Sequence, residues 1–394
     1  MNVILFDDPL IRTNLLPLTF ARPVADIRIG ILTIREKWER YLKKNTSTKT
    51  QSYLSTKYPI EYNIDTDNIW INGSVLPNAA LLKEIKKLQP EQVLLNDKTI
   101  IAVNSGNNKA FPDDVTLRPG FITINTTSEI IQVRVPWDIF SKNDVALRAD
   151  FHLLTNGRKS QPISPTNQVI GTNAIFLEEG AKAECSILNA STGPIYIGKD
   201  AEIMEGCIIR GPFALGEHAA LKLGTKIYGA TTIGPHSKAG GEVSNSVIFG
   251  YSNKAHDGFL GNSVIAEWCN LGADTNNSNL KNNYGVVKIW NYGIKDYVAT
   301  GLTFCGLIMG DHSKCGINTM FNTGTVVGVN ANIFGAGFPP THVPSFSWGG
   351  GEGFTTYKLQ NAFDVAARVF ERRGMIFDEQ EQKILTHIFE MAKA

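Results

Sequence analysis

The chain has 394 residues, enough for two domains and a large core, with a formal charge of +1 and 19% charged residues. That balance supplies neither a basic field for nucleic acid nor an acidic tail. A hydrophobic content of 43% beside 36 glycines indicates a turn-rich β protein rather than disorder.

In chain order, Val3 to Phe6 forms a short apolar strand. A loop from Asp7 to Pro23 leads to an amphipathic helix on which Ile27, Ile31, Ile34, Trp38 and Leu42 share a face, with Asp26 as N-cap. Strand, loop and helix in that order suggest an α/β nucleotide-binding domain. Lys43 to Asn63 is polar and reads as an exposed connection. Strands are expected at Asn68–Ile71, Gln92–Asn96, Thr99–Val103 and Gly120–Ile124, the last two paired, with a helix over Ala79–Leu88. A further helix runs from Val135 towards Leu154, and the Gly/Pro-bearing stretch from Asn156 to Thr166 is a linker.

Beyond it an aliphatic column recurs every six residues: Ile197, Ile203, Ile209, Leu215, Leu221, Ile227 and Ile233. Small residues follow all but one of these anchors by four, as at Ala201, Ala219, Thr225 and Ser237, with Phe213 the exception. No helical period locks to six, so the pattern reads as a solenoid of short strands and turns. The column returns as Met309, Cys315, Phe321, Val327 and Ile333, with a fragment at Ile265 and Leu271 between. Offsets of 32 residues (Ile233 to Ile265) and 44 (Ile265 to Met309) are not multiples of six, so each break should hold an excursion where function concentrates. Pro339 to Pro344 ends the repeat, and two amphipathic helices follow, near Tyr357–Arg373 and Asp378–Lys393. The expected domains are 1–160, 161–345 and 346–394.

Five cysteines without a CxxC pair, two of them at repeat positions, read as small hydrophobes in a reducing compartment. With no basic segment leading an apolar run and no membrane-length apolar stretch, a cytoplasmic protein is expected.

Leu15-Leu16-Pro17-Leu18-Thr19, after a strand and before Pro23, resembles the signature of sugar-1-phosphate nucleotidyltransferases. Joined to a left-handed hexapeptide helix, it resembles the bifunctional UDP-N-acetylglucosamine pyrophosphorylase/glucosamine-1-phosphate acetyltransferases, the GlmU family. The run Lys254-Ala255-His256, Leu260-Gly261 and Cys269-Asn270-Leu271-Gly272-Ala273-Asp274-Thr275 carries the C-terminal part of the likeness. The resemblance implies an α/β nucleotidyltransferase-like domain, a left-handed parallel β-helix and short C-terminal helices. It implies acetyl-CoA as cofactor, an amino-sugar phosphate and UTP as partners, and Mg²⁺ for the N-terminal reaction. A solenoid with flat flanks offers no deep pocket for a long ligand, so a homotrimer with the cofactor between neighbouring helices is expected.

Carried over by residue, His256 matches the base that takes a proton from the substrate amine, and Asn279 the substrate-binding asparagine. Ala273 and Gly335 fall at acetyl-CoA contacts. Phe259 stands where the family has a tyrosine. The arginine and lysine that hold the sugar phosphate have no clear counterparts, leaving Lys254 and Lys281 as substitutes. At the N-terminus Leu10 and Arg12 replace the loop glycines, Asn14 an arginine, Val24 a lysine, and Asn72 the metal-binding aspartate. A glycine-rich loop works because bare backbone N–H groups approach phosphate closely; Arg12, Arg22 and Arg28 could supply only side-chain charge. The Asn276-Asn277-Ser278-Asn279 run reads equally as a turn cluster or as amides for sugar hydroxyls or a neighbouring backbone. Two other classes remain open: a non-catalytic nucleotide-sugar scaffold or sensor, and a nucleotidyltransferase whose β-helix only oligomerises.

Overall fold

A computed structural model describes residues 2–107, 120–171 and 174–393. Its contacts divide the chain into two compact units. The first comprises 1–15, 22–27 and 32–134; the second comprises 16–21, 28–31 and 135–394. The division falls ahead of the linker near 160 because the helices after Val135 group with the second unit.

The first unit is one six-stranded sheet with helices. Its elements are β1 (Asn2–Phe6), α1 (Pro9–Asn14), α2 (Ile34–Leu42), β2 (Ser47–Lys49), β3 (Asn68–Asn72), α3 (Ala79–Ile85), β4 (Gln92–Asn96), β5 (Thr99–Asn104) and β6 (Ile122–Asn125). The strand order is β2-β1-β3-β5-β4-β6. β1 and β3 are parallel at the centre, and every residue of β3 is buried. Trp38 and Trp70 are fully buried, and the Trp38 indole donates to the Val75 carbonyl (2.8 Å).

Several expectations change here. The loop after β1 contains α1, because Asp8 caps it and Pro9 is preset for a first helical turn. The following helix is capped by Thr33 and starts at Ile34, not capped by Asp26: Thr33 and Glu36 form a reciprocal capping box, and Gly30 (φ +74°) interrupts the chain before it. Ile27 and Ile31 are still buried, but from irregular backbone. The polar connection holds β2, which pairs in parallel with β1. β5 and β6 are not partners, since β4 lies between them and pairs with both.

In the second unit, the helix expected from Val135 is two, α4 (Pro136–Ser141) and α5 (Asn143–Thr155), broken at Lys142. The left-handed parallel β-helix follows, its strands stacking into three sheets of six, nine and ten members, the tenth being Gly353–Thr356, added antiparallel after the repeat ends. Ile197, Ile209, Leu215, Leu221 and Ile233 are wholly buried in its bore, and Met309, Phe321, Val327 and Ile333 continue it.

The first break in the repeat holds no excursion. Ile233 pairs with Ile248 and Ile248 with Ile265, so shortened coils of 15 and 17 residues account for the 32-residue offset. The second break does leave the coil. Ile265 pairs directly with Met309, and the intervening chain projects a hairpin, Lys288–Asn291 against Asp296–Ala299.

Along one edge His218, His236, Tyr251, Trp268 and His312 all adopt positive φ, and consecutive rings stack at centroid distances of 4.3–6.2 Å. The tail forms α6 (Leu359–Glu371) and α7 (Glu379–Lys393), and Phe370 of α6 stacks on Trp268 at 4.1 Å.

Candidate functional site

Hexad geometry sets the orientation of each side chain. Where an anchor points into the bore, its two neighbours point out. Lys254 occupies a bore position, pairing with Ala239 of the coil below. Two residues later the chain turns, which leaves His256 exposed at the edge between two faces. No hydrogen bond or ion pair engages its imidazole among the described residues. Gly258 completes the turn at φ +113°, where a Cβ would fall 2.2 Å from the Thr275 carbonyl oxygen. Only glycine fits this close approach.

Register places Ala273 and Gly335 on the same edge. Lys254, Leu271, Cys315 and Ile333 align on successive coils, so the residues two further on form a column: His256, Ala273, Ile317 and Gly335. At about 4.8 Å per coil, Ala273 lies one step and Gly335 three steps from His256. Ile317 is 71% exposed between them and Gly335 is open, giving a long edge with little side-chain cover.

The strand after His256, Phe259–Gly261, turns Leu260 inward and presents Phe259 and Gly261 outward. A Cβ on Gly261 would lie 2.4 Å from the Phe259 ring tip and 2.7 Å from Asn279 Nδ2, so Phe259 and Asn279 meet over this glycine. Asn279 donates to Asn262 Oδ1 (2.8 Å). The Asn-rich run therefore has two roles. Asn276 and Asn277 accept from the backbone of Phe259 (2.8 Å) and Gly261 (2.9 Å), substituting for a strand ladder, while Asn279 faces the surface.

Two of the lysines do not join this group. Lys254 is 1% exposed, and its Nζ donates to the carbonyls of His256 (2.6 Å) and Asp257 (3.0 Å). A side chain pointing into the bore cannot also reach a sugar phosphate outside. Lys281 donates to Val286 O (3.1 Å) within the excursion.

Two cations that the sequence reading passed over stand on the face below. Counting coils down from Phe259 gives Glu242, Lys226 and Ile208 in one column, and from Gly261 gives Ser244, Tyr228 and Arg210 in the next. They border a cleft of about 790 Å³ closed on its other side by Asp144 and Arg148 of α5. Arg148 is engaged by Asp144 (2.9 Å) and the Thr192 carbonyl (2.6 Å), and Tyr228 donates to Glu242 (2.5 Å). Glu242's carboxylate raises the pKa of that phenol. Arg210 and Lys226 have no such partner among the described residues. A second cleft of about 510 Å³ shares Asp144, Ala230 and Asn245 and reaches Asn262, the partner of Asn279. The signal was present in the sequence: Arg210 and Lys226 flank the anchors Ile209 and Ile227, so they must point outward.

In the first unit the residues proposed for phosphate and metal are already engaged. Asp8 accepts from the amides of Leu10 and Ile11 (both 3.0 Å), so a carboxylate occupies the helix terminus where phosphate would bind. Arg12 is buried, pairing with Asp7 (3.0 Å) and donating to the Arg22 carbonyl (3.1 Å) and Tyr53 (3.0 Å). Burial raises the pKa of Asp7, with Arg12 opposing it. Arg22 is 4% exposed. Asn72 is wholly buried, donating to Ile100 O (3.0 Å) and accepting from Ser74 N (3.1 Å) and Oγ (2.6 Å). Neither Arg12 nor Asn72 can turn to a ligand without breaking these bonds, and the set does not fit Mg²⁺, which requires free carboxylate oxygens. In the second unit Arg28 donates to Phe249 O (2.7 Å) and Ile31 O (2.5 Å), a structural role.

Residues 3–159 match the family model described as sugar nucleotidyl transferase. A bifunctional sugar-1-phosphate nucleotidylyltransferase/acetyltransferase of Sulfurisphaera tokodaii is 32% identical over 201 residues, 50% of this chain and 43% of that protein. The bifunctional protein GlmU of Methanocaldococcus jannaschii is 36% identical over 92 residues, 23% of this chain and 22% of its own. The chain thus spans less than half the length of these curated relatives. Among solved structures, an Arabidopsis UDP-N-acetylglucosamine acyltransferase matches at 14% identity and a TM-score of 0.25, over 59% of this chain and 95% of that one. In its layout the chain is GlmU-like.

Proposed function

We propose that the β-helix transfers an acetyl group from acetyl-CoA to the amine of a hexosamine phosphate, with His256 as general base. The observation that carries this reading is the shared edge of His256, Ala273 and Gly335 beside the face bearing Phe259 and Asn279. Acetyl-CoA supplies the acyl thioester. Its long chain would lie along the open edge, past Ala273 towards Gly335.

An amine attacking a thioester must shed a proton, and an imidazole suits that task near neutral pH. General-base assistance of this kind contributes roughly 10²–10⁴ in rate. Asn279, oriented by Asn262, would hold a sugar hydroxyl. Phe259 offers an apolar surface to the ring where a hydroxyl would otherwise sit. Arg210 and Lys226 take the place of Lys254 and Lys281 as phosphate ligands, since their heads point outward and are unengaged among the described residues.

A single solenoid edge has no deep pocket for so long a cofactor. A closed three-fold ring would supply one between neighbouring β-helices, so the active form is a homotrimer. All five cysteines are free, four of them buried, which suits a reducing cytoplasm. No helix among the described residues is long and apolar enough to cross a membrane.

The first unit retains the fold of a sugar nucleotidyl transferase without its phosphate cradle, because Asp8 and Arg12 hold those positions internally. It does not turn over UTP at enzymatic rates. The direct test is thiol release from acetyl-CoA by the purified chain offered a panel of hexosamine phosphates. Acceptor-dependent release is expected; none with any amino sugar would defeat the proposal.

A further inference from the structure

The inward column of the ten-stranded sheet runs Ala183, Ile203, Leu221, Ala239, Lys254, Leu271, Cys315 and Ile333. Every member but one is apolar. A lysine in that bore is costly unless its ammonium is fully hydrogen-bonded. Its two bonds go to successive carbonyls, those of His256 (2.6 Å) and Asp257 (3.0 Å).

Other coils show what those bonds replace. Four residues after Leu221, Leu271 and Cys315 stand Thr225, Thr275 and Thr319. Each hydroxyl donates to the carbonyl just after its anchor, at 2.5, 2.7 and 2.9 Å. Four residues after Lys254 stands Gly258, which has no hydroxyl and adopts a φ of +113°. The turn bearing His256 therefore lacks the threonine tie of those three coils, and the Lys254 ammonium holds the next two carbonyls of the same turn instead.

We propose that Lys254 is a positioning residue for His256, gripping its turn from inside the solenoid in place of the missing threonine. Fixing two successive peptide planes fixes the direction in which the imidazole leaves the backbone. The proposal rests on the reading of His256 as the base. A pH signature follows. Burial pushes the Lys254 ammonium down to about 8, opposed by Asp257 on its own turn, by Cys315 two coils on and by Asp274 on the next coil. The grip weakens as that proton leaves, so kcat should fall above about pH 8.

The test is the full-length Lys254→Met variant, which fills the bore without a donor, assayed by thiol release with acetyl-CoA and the best hexosamine phosphate. The expected result is a kcat about 10- to 100-fold lower, the scale of a misplaced catalytic group. KM for acetyl-CoA and the melting temperature at pH 7 should not fall, and the alkaline limb of the wild-type profile should vanish. Wild-type kcat in the variant, an unchanged alkaline limb, or activity lost only in step with folding would each overturn the proposal. His256→Ala, run alongside, separates the two ideas. If it stays active, the assignment of the base fails; if it is dead while Lys254→Met is normal, only the positioning role fails.

Discussion

Leu221 and Leu223 are two residues apart and chemically identical, yet the hexad register sends them in opposite directions. Leu221 is fully buried between Ile203 and Ala239 of the coils on either side, whereas Leu223 is 67% exposed. Leu221→Ala should cost about 2–5 kcal/mol, the transfer term plus the cavity left in a bore that cannot collapse around it. Leu221→Asp adds the desolvation of an unpaired carboxylate, a further penalty of several kcal/mol. The sum approaches the whole stability of a typical domain, about 5–15 kcal/mol, so this variant should not fold. Leu223→Asp should stay within about 0.5 kcal/mol of wild type. Urea denaturation followed by far-UV circular dichroism measures all three. Equal midpoints for Leu221→Ala and Leu223→Asp, or a folded Leu221→Asp, would refute the register and with it every outward assignment on the proposed catalytic face.

Arg12→Ala should destabilise the first unit by about 3–5 kcal/mol, because it strands the buried carboxylate of Asp7, and it should appear as a lowered melting transition of that unit. A variant of unchanged stability with weakened nucleotide binding would instead make Arg12 a phosphate ligand. Pyrophosphate release from UTP and N-acetylglucosamine 1-phosphate should stay below the roughly 1–10³ s⁻¹ of ordinary enzymes. Turnover in that range would reveal a phosphate site other than the loop closed by Asp8. Lys226→Ala and Arg210→Ala should each raise KM for the phosphorylated acceptor about tenfold or more, the scale of a charged hydrogen bond, and leave KM for acetyl-CoA unchanged. A rise in the acetyl-CoA value alone would move the phosphate elsewhere.

The solenoid was legible because its period is enforced by packing. A residue such as Ile233 must stack on the coil below, and a six-residue spacing has no other cheap explanation. What the period could not reveal was a coil with residues removed. The 32-residue offset looked like an insertion, and only the pairing of Ile233, Ile248 and Ile265 shows two shortened turns. The same shortening hid Lys254, which reads as a surface lysine until Ala239 is found beside it in the bore. In the first unit, the departures at Leu10, Arg12 and Asn72 were visible, but their consequence was not. That required seeing Asp8 on the helix amides and Asp7 on Arg12, contacts set by tertiary packing rather than by pattern. The helix start was misplaced because Asp26 and Thr33 are both acceptable caps; the Glu36 that closes Thr33's capping box decides between them.

The role of His256 is tested most directly by thiol release from acetyl-CoA in His256→Ala, measured with a hexosamine phosphate that the wild-type chain acetylates. The imidazole is exposed and bonded to nothing among the described residues, so its removal should leave the melting temperature and solution mass unchanged. The rate should fall by roughly 10²–10⁴, the contribution of a general base. A variant that keeps wild-type turnover, with fold and assembly intact, would contradict the assignment.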